Sequence, residues 1–392
     1  MKKTLCILLL AVSAVFMYSQ NLNKTIKFLK GNIADKTSAV REASGTEAIF
    51  LANKAIDFCI ENKEILGNDR ELEGLAVAAI LSISPEYAKA CSEDDKILLQ
   101  DELLELYSQF KNSSTVQIAV LTKSVALKDY IPTEKITTNL NEYLTKSNVN
   151  TEDGTLFRAV FNSLESIGNN ETFLILYGLL NNQNYKKYHA QIESTLTALV
   201  PKAMNEILAL IQNSNTQQVA RIFSIIKKNT SISKNNLCEI AQNILSQSII
   251  SLEGTSGATV EQIELQLDTL AILSDNRWTR ASGTCISYFK LAKRLYNSGD
   301  MNEVQFKTVI LALANTSPIE SVPLLTAYLE DLNNLTEKGN VVSSDVILAV
   351  IKSLGTIGDK SAFDSLLAVT YLNYSEQVLS AARAALSGLR WQ

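Results

Sequence analysis

The chain is poor in the residues on which most protein chemistry is built. His189 is its only histidine among 392 residues, which excludes multi-histidine metal sites and leaves one residue for any histidine-dependent catalysis. Its five cysteines show no C-x-x-C spacing, and there are only five prolines to interrupt regular structure. No segment alternates apolar and polar residues with a sustained period of two, so a strand-rich fold is not expected. No block of like charge is longer than Glu93-Asp94-Asp95, which removes any argument from an acidic or basic tail. Beyond residue 17 no apolar run approaches the roughly 20 residues that a membrane-spanning helix needs.

What is present begins with a short leader. Lys2 and Lys3 precede an almost unbroken apolar run from Leu5 to Met17, which as a helix spans only about 20 Å. The sequence then turns polar at Tyr18-Ser19-Gln20-Asn21. This layout reads as a cleavable secretory signal peptide over residues 1–20, so the mature chain is expected to be periplasmic or secreted, without membrane insertion. Cys6 lies near the start of the apolar run rather than at its end, against a lipid-anchored cysteine. Loss of Lys2 and Lys3 leaves 34 basic side chains against 41 acidic ones, a balance of −7 that argues against a nucleic-acid partner. Cys59, Cys91, Cys238 and Cys285 remain. Export permits disulfides between them, and their scatter along apolar stripes reads as small core residues; both readings stay open.

Apolar residues recur at helical spacing nearly everywhere after Leu22. Val378, Ala381, Ala382, Ala385, Leu386 and Leu389 form one stripe; Phe363, Leu366, Leu367 and Tyr371 form another; Val346, Ile347, Val350, Ile351 and Leu354 a third. Gly355 and Gly358 are read as left-handed helix ends, Asp359 as a cap, and Pro85, Pro132, Pro201 and Pro318 as inter-helix positions. The spacing predicts some 16 to 19 helices, with a flexible connector at 251–259 between arrays at 21–250 and 260–392.

The stripes repeat. A shift of 41 residues lays Leu313, Pro318, Val322 and Leu325 on Leu354, Asp359, Phe363 and Leu366. A shift of 190 lays Leu164, Gly168, Phe173 and Leu176 on Leu354, Gly358, Phe363 and Leu366. The unit is a helix end, a tight turn and a second helix, clearest in Leu354-Gly355-Thr356-Ile357-Gly358-Asp359 followed by Val378 to Leu386. Ala39-Val40-Arg41-Glu42-Ala43 carries the Val-Arg opening of a second helix. This pattern resembles the HEAT repeat. The resemblance implies an all-α, right-handed α-solenoid of stacked antiparallel helix pairs, an armadillo-type superhelix whose curved surface holds a protein or peptide partner.

Signals for catalysis are thin. Ser-x-x-Lys occurs at Ser224, Ser231 and Ser287 without the companion elements of the enzymes that use it, and Ser274-Asp275-Asn276 lies on the wrong side of its nearest copy. Gly355 to Lys360 lacks the spacing of a phosphate loop, and no calcium loop is present. The expectation is therefore a non-catalytic scaffold with no metal and no cofactor. A component of a bacterial envelope assembly is the alternative, and a helical-repeat lyase or hydrolase the third reading. Exposed aromatics and arginines are where a partner would bind. Arg277, Trp278 and Arg280 form the leading candidate, because guanidiniums beside a tryptophan suit carboxylates. Tyr185 and Tyr188 follow, with His189 beside them expected on the surface, and the Arg390-Trp391 end is expected to cover the last apolar edge.

Overall fold

Helix follows from composition and from explicit start signals. In the computed structural model, which describes residues 24–147, 153–255 and 257–390, the fold is all-α. Among those residues there is no strand, only an isolated bridge between Asp359 and Arg390. The leader and Trp391 lie outside the described residues. No described helix is long and apolar enough to cross a membrane. Among the described residues five helices open with a reciprocal cap, at Asn32/Asp35, Asn169/Thr172, Asn215/Gln218, Thr259/Gln262 and Asn302/Gln305. Each satisfies two backbone donors that the first turn leaves without partners.

The chain divides into two compact units, Met1–Ala203 and Met204–Gln392. In the first, after helical residues 24–30, come α1 (Ile33–Glu42), α2 (Gly45–Leu66), α3 (Arg70–Ser82), the short α4 (Pro85–Ala90) and α5 (Glu93–Gln109). They are followed by α6 (Ser114–Leu127), α7 (Glu134–Lys146), α8 (Gly154–Ile167), α9 (Asn170–Leu180) and α10 (His189–Leu199). The second unit holds α11 (Met204–Asn213), α12 (Thr216–Lys228), α13 (Lys234–Ser251), α14 (Val260–Asp275) and α15 (Ser282–Ser298). It continues with α16 (Glu303–Thr316), α17 (Ser321–Glu337), α18 (Ser344–Ile357), α19 (Phe363–Val369) and α20 (Glu376–Ser387). The stretch 251–259 lies within this second unit, and α13 and α14 on either side of it pack together.

Packing runs in rows. In the first unit α1, α3, α6, α8 and α10 each pack on the next, as do α2, α5, α7 and α9. In the second, α12, α14, α16, α18 and α20 form such a row. Neighbours in sequence, such as α5 and α6 or α15 and α16, close hairpins between the rows. Large side chains such as Phe110, Phe161, Phe223 and Phe306 are fully buried along these seams, and apolar burial at ~25 cal/mol per Å² supplies most of the stability.

Polar atoms follow the same step. Buried Thr195 donates to the Phe161 carbonyl (3.2 Å), Asn333 to that of Ser365 (3.1 Å) and Ser353 to that of Ile310 (3.1 Å), at separations of 34, 32 and 43 residues. Three ion pairs, Lys227–Asp268, Lys293–Asp331 and Lys307–Asp345, join α12 to α14, α15 to α17 and α16 to α18 at separations of 41, 38 and 38 residues. Partly exposed pairs contribute roughly 0–1 kcal/mol each, so they mark register more than they hold the stack.

The two glycines expected to close a helix behave differently. Gly358 does so, at φ 73° as the C-cap of α18, and its carbonyl accepts from the Arg390 N–H (2.8 Å). Gly355 lies inside α18 instead. A Cβ added there would sit 2.9 Å from the Ala385 Cβ on α20, so the glycine permits close approach of two helices. Gly355→Val is expected to destabilise the protein by about 2 kcal/mol through overpacking, measured by urea unfolding. Gly355→Ala is expected to stay near neutral, because a gain in helix propensity of about 1 kcal/mol opposes the clash. Equal, negligible losses for both would show that α18 and α20 do not meet there.

Candidate interaction site

The turn between α14 and α15 collects three of the side chains singled out from the sequence. Helix α14 ends at Asp275 with Asn276 as its cap, and the chain reverses at Arg277, the one non-glycine among the described residues with positive φ, 49°. The Arg277 N–H donates to the Ser274 carbonyl (3.0 Å) and the Trp278 N–H to that of Leu273 (2.9 Å). These two bonds make a Schellman ending, which normally places glycine where Arg277 stands. A side chain in that conformation costs on the order of 1 kcal/mol.

Both flanks of the turn are tied down. The Trp278 Nε1–H donates to Gln242 Oε1 on α13 (3.0 Å), and Asn315 Nδ2 on α16 donates to Ser274 Oγ (3.0 Å). The half-buried indole carries the Arg280 guanidinium over its face, 5.0 Å from the ring centroid. Arg277 and Arg280 are exposed, and among the described residues neither has a carboxylate partner. The arrangement is a fixed aromatic platform with two unneutralised planar cations, a geometry that receives carboxylates in bidentate fashion.

Tyr185 and Tyr188 belong to the other compact unit, and the structure corrects their expected exposure. They are 5% and 3% exposed on a 3₁₀ turn over Gln183–Tyr188. Residues three apart eclipse in such a turn, so the two rings share one face while Lys186 and Lys187 take the other. Tyr188 stacks on Phe157 (5.5 Å) and Tyr185 meets its edge (6.2 Å). The Tyr185 hydroxyl donates toward the Leu144 and Ser147 carbonyls (both 3.4 Å). His189, expected on the surface, is half-buried at the start of α10, and its Nε2 is buried without a hydrogen-bond partner.

A second titratable cluster has no signature in the sequence. Glu102 on α5 is pushed up to about 7 by burial and then by the charge of Asp57 on α2. Asn53, one turn from Asp57, donates to the Tyr87 hydroxyl (3.2 Å), and burial raises that phenol with Cys91 beside it. Asn53/Asp57 and Tyr87/Cys91 are each i, i+4 pairs, a spacing too common to single them out. The four described cysteines are unpaired, and burial pushes Cys59 up to about 12 and Cys285 to about 11, so neither is a nucleophile at neutral pH. Among the described residues no cluster of metal ligands is found. The chain matches no family model, no curated protein and no solved structure.

The raised carboxyl has a consequence for stability. The unfolded chain releases the Glu102 proton near its ordinary value of 4.5, whereas the fold holds it to about 7. Between those values the folded state binds more protons, so stability falls as pH rises and levels off above 7. Discounted for partial exposure, the fall is about 1–2 kcal/mol. Urea unfolding at pH 4.5, 6 and 7.5 is expected to show this slope and Glu102→Gln to lose it; parallel profiles would place Glu102 in water.

Proposed function

We propose that the protein is a non-catalytic binding scaffold, a right-handed solenoid of HEAT-like helix pairs exported to the periplasm or beyond. It takes a protein or peptide partner at the α14–α15 turn. The stacking of alternate helices in rows and polar links at separations in the thirties and low forties support the repeat reading. Stacked pairs leave their helix-end turns free to carry contacts.

The observation that carries the binding site is Arg280 lying over Trp278, with Arg277 beside it in a conformation that glycine would take more cheaply. Among the described residues neither guanidinium has an acidic partner. Nothing in the packing of α14 requires either charge, so both are assigned to recognition of carboxylates on the partner. Aromatic and arginine side chains in such positions are the ones that dominate interface energies.

A photo-crosslinking amino acid at Thr279, exposed between the two arginines, tests this in the full chain expressed with its own leader. One dominant protein adduct is expected, reduced at least tenfold in an Arg277→Ala/Arg280→Ala variant, since each charge-assisted contact contributes roughly 1.5–3 kcal/mol. No adduct, or adducts indifferent to the arginines, would reject the site.

A further inference from the structure

Within the second unit, a cleft of 520 Å³ opens between α15, α17 and the loop leading into α18. That is within the roughly 300–1,000 Å³ of sites that hold short ligands. Its floor is aromatic and rigid. Tyr296 stacks on Phe306 with centroids 4.8 Å apart, and Tyr328 meets Phe306 and Phe289 edge-on. Lys293 lies 4.4 Å over the Tyr328 ring while pairing with Asp331 (3.2 Å), which fixes that ring from above.

The floor carries unmet polar chemistry. Tyr328 is only 6% exposed and lines the cleft, and among the described residues its hydroxyl has no hydrogen-bond partner. The ring is buried while the hydroxyl reaches the open cleft, and burial keeps this phenol protonated. The Tyr296 hydroxyl likewise has no partner among the described residues. Asn297 on α15 and Asn334 on α17 face solvent across the cleft with side-chain amides that bond no described residue. Each amide offers one donor edge and one acceptor edge, the complement of a peptide group.

The rim decides between ligand classes. Leu335 is 43% exposed and Val341 103%, so apolar surface stands open at the mouth. Lys338, exposed and without an acidic partner among the described residues, adds a positive charge. A sugar, polar over its whole periphery, would leave the apolar rim wet. An extended peptide with an apolar side chain beside a carboxylate satisfies amides, phenols, rim and lysine together.

We propose that this cleft is a peptide-binding subsite, separate from the α14–α15 turn, that seats one apolar or aromatic side chain of an extended segment with an acidic residue next to it. Asn297 and Asn334 hold the segment's main chain, the Tyr328 hydroxyl donates to a peptide carbonyl at the cleft floor, and Lys338 pairs with the carboxylate. The inference rests on the reading of the protein as a peptide- or protein-binding scaffold.

The test is selection of a phage-displayed random heptapeptide library on the full chain, followed by titration of the enriched peptide. The expected consensus has an apolar or aromatic residue adjacent to Asp or Glu. Its affinity should fall at least tenfold in Asn334→Trp, which fills the cleft, and several-fold in Tyr328→Phe. Because the Tyr328 hydroxyl bonds no described residue, Tyr328→Phe should melt at the same temperature as the parent; a lower melting temperature would show a structural partner and remove the argument. Binding should survive Arg277→Ala/Arg280→Ala. No enrichment, equal binding by Asn334→Trp, or retention of oligosaccharides in place of peptides would overturn the assignment. A peptide lost with the arginines but kept by Asn334→Trp would overturn it too, leaving the scaffold reading intact.

Discussion

A short amphipathic helix has an apolar stripe wider than one partner can cover, and everything else in this protein follows from how that surface is shared. The longer helices pack on the next member of their row as well as on a hairpin neighbour. The seam between α18 and α20 shows how tightly this is done: Gly355 lies where a methyl group would strike Ala385. Polar groups inside the stack obey the same step, with Thr195, Ser353 and Asn333 each bonding a carbonyl of an adjacent helix pair. Satisfying these atoms locally lets polar side chains be buried without the penalty of an unpaired group.

Because stacking consumes the helix faces, side chains left free for other work gather at turns and at open ends of seams. The α14–α15 turn spends a strained residue, Arg277, where glycine would serve the backbone better. The cleft between α15 and α17 buries the Tyr328 ring and leaves its hydroxyl facing the cleft, with no partner among the described residues. The strain at Arg277 falls at a position the stack does not need, which is where functional sites are expected to break folding rules.

The helical class was legible because apolar spacing and caps are local. Asn302 with Gln305 and Thr259 with Gln262 announce helix starts, and Gly358 announces an end, in a few consecutive residues. Gly355 was not legible, since its role depends on Ala385, thirty residues away and on another helix. Tyr185 and Tyr188 looked like surface residues beside Lys186 and Lys187, because a 3₁₀ turn has a three-residue period that a helical reading does not anticipate. Glu102 carried no signal at all: its raised proton affinity comes from burial and from Asp57 on a different helix. Arg277, Trp278 and Arg280 do lie together, having been adjacent in the chain to begin with.

Row-by-row stacking makes a claim about cooperativity that a single globular core does not share. Each helix in a row is held by its two neighbours, so protection should depend on position along the row. Hydrogen exchange followed by mass spectrometry on the native chain measures this directly. The slowest amides are expected in α14 and α16, with protection declining through α18 to α20, which is flanked on one side only in its row. One common protection level across all helices of the second unit, collapsing together in denaturant, would contradict stacking and indicate a single undivided core.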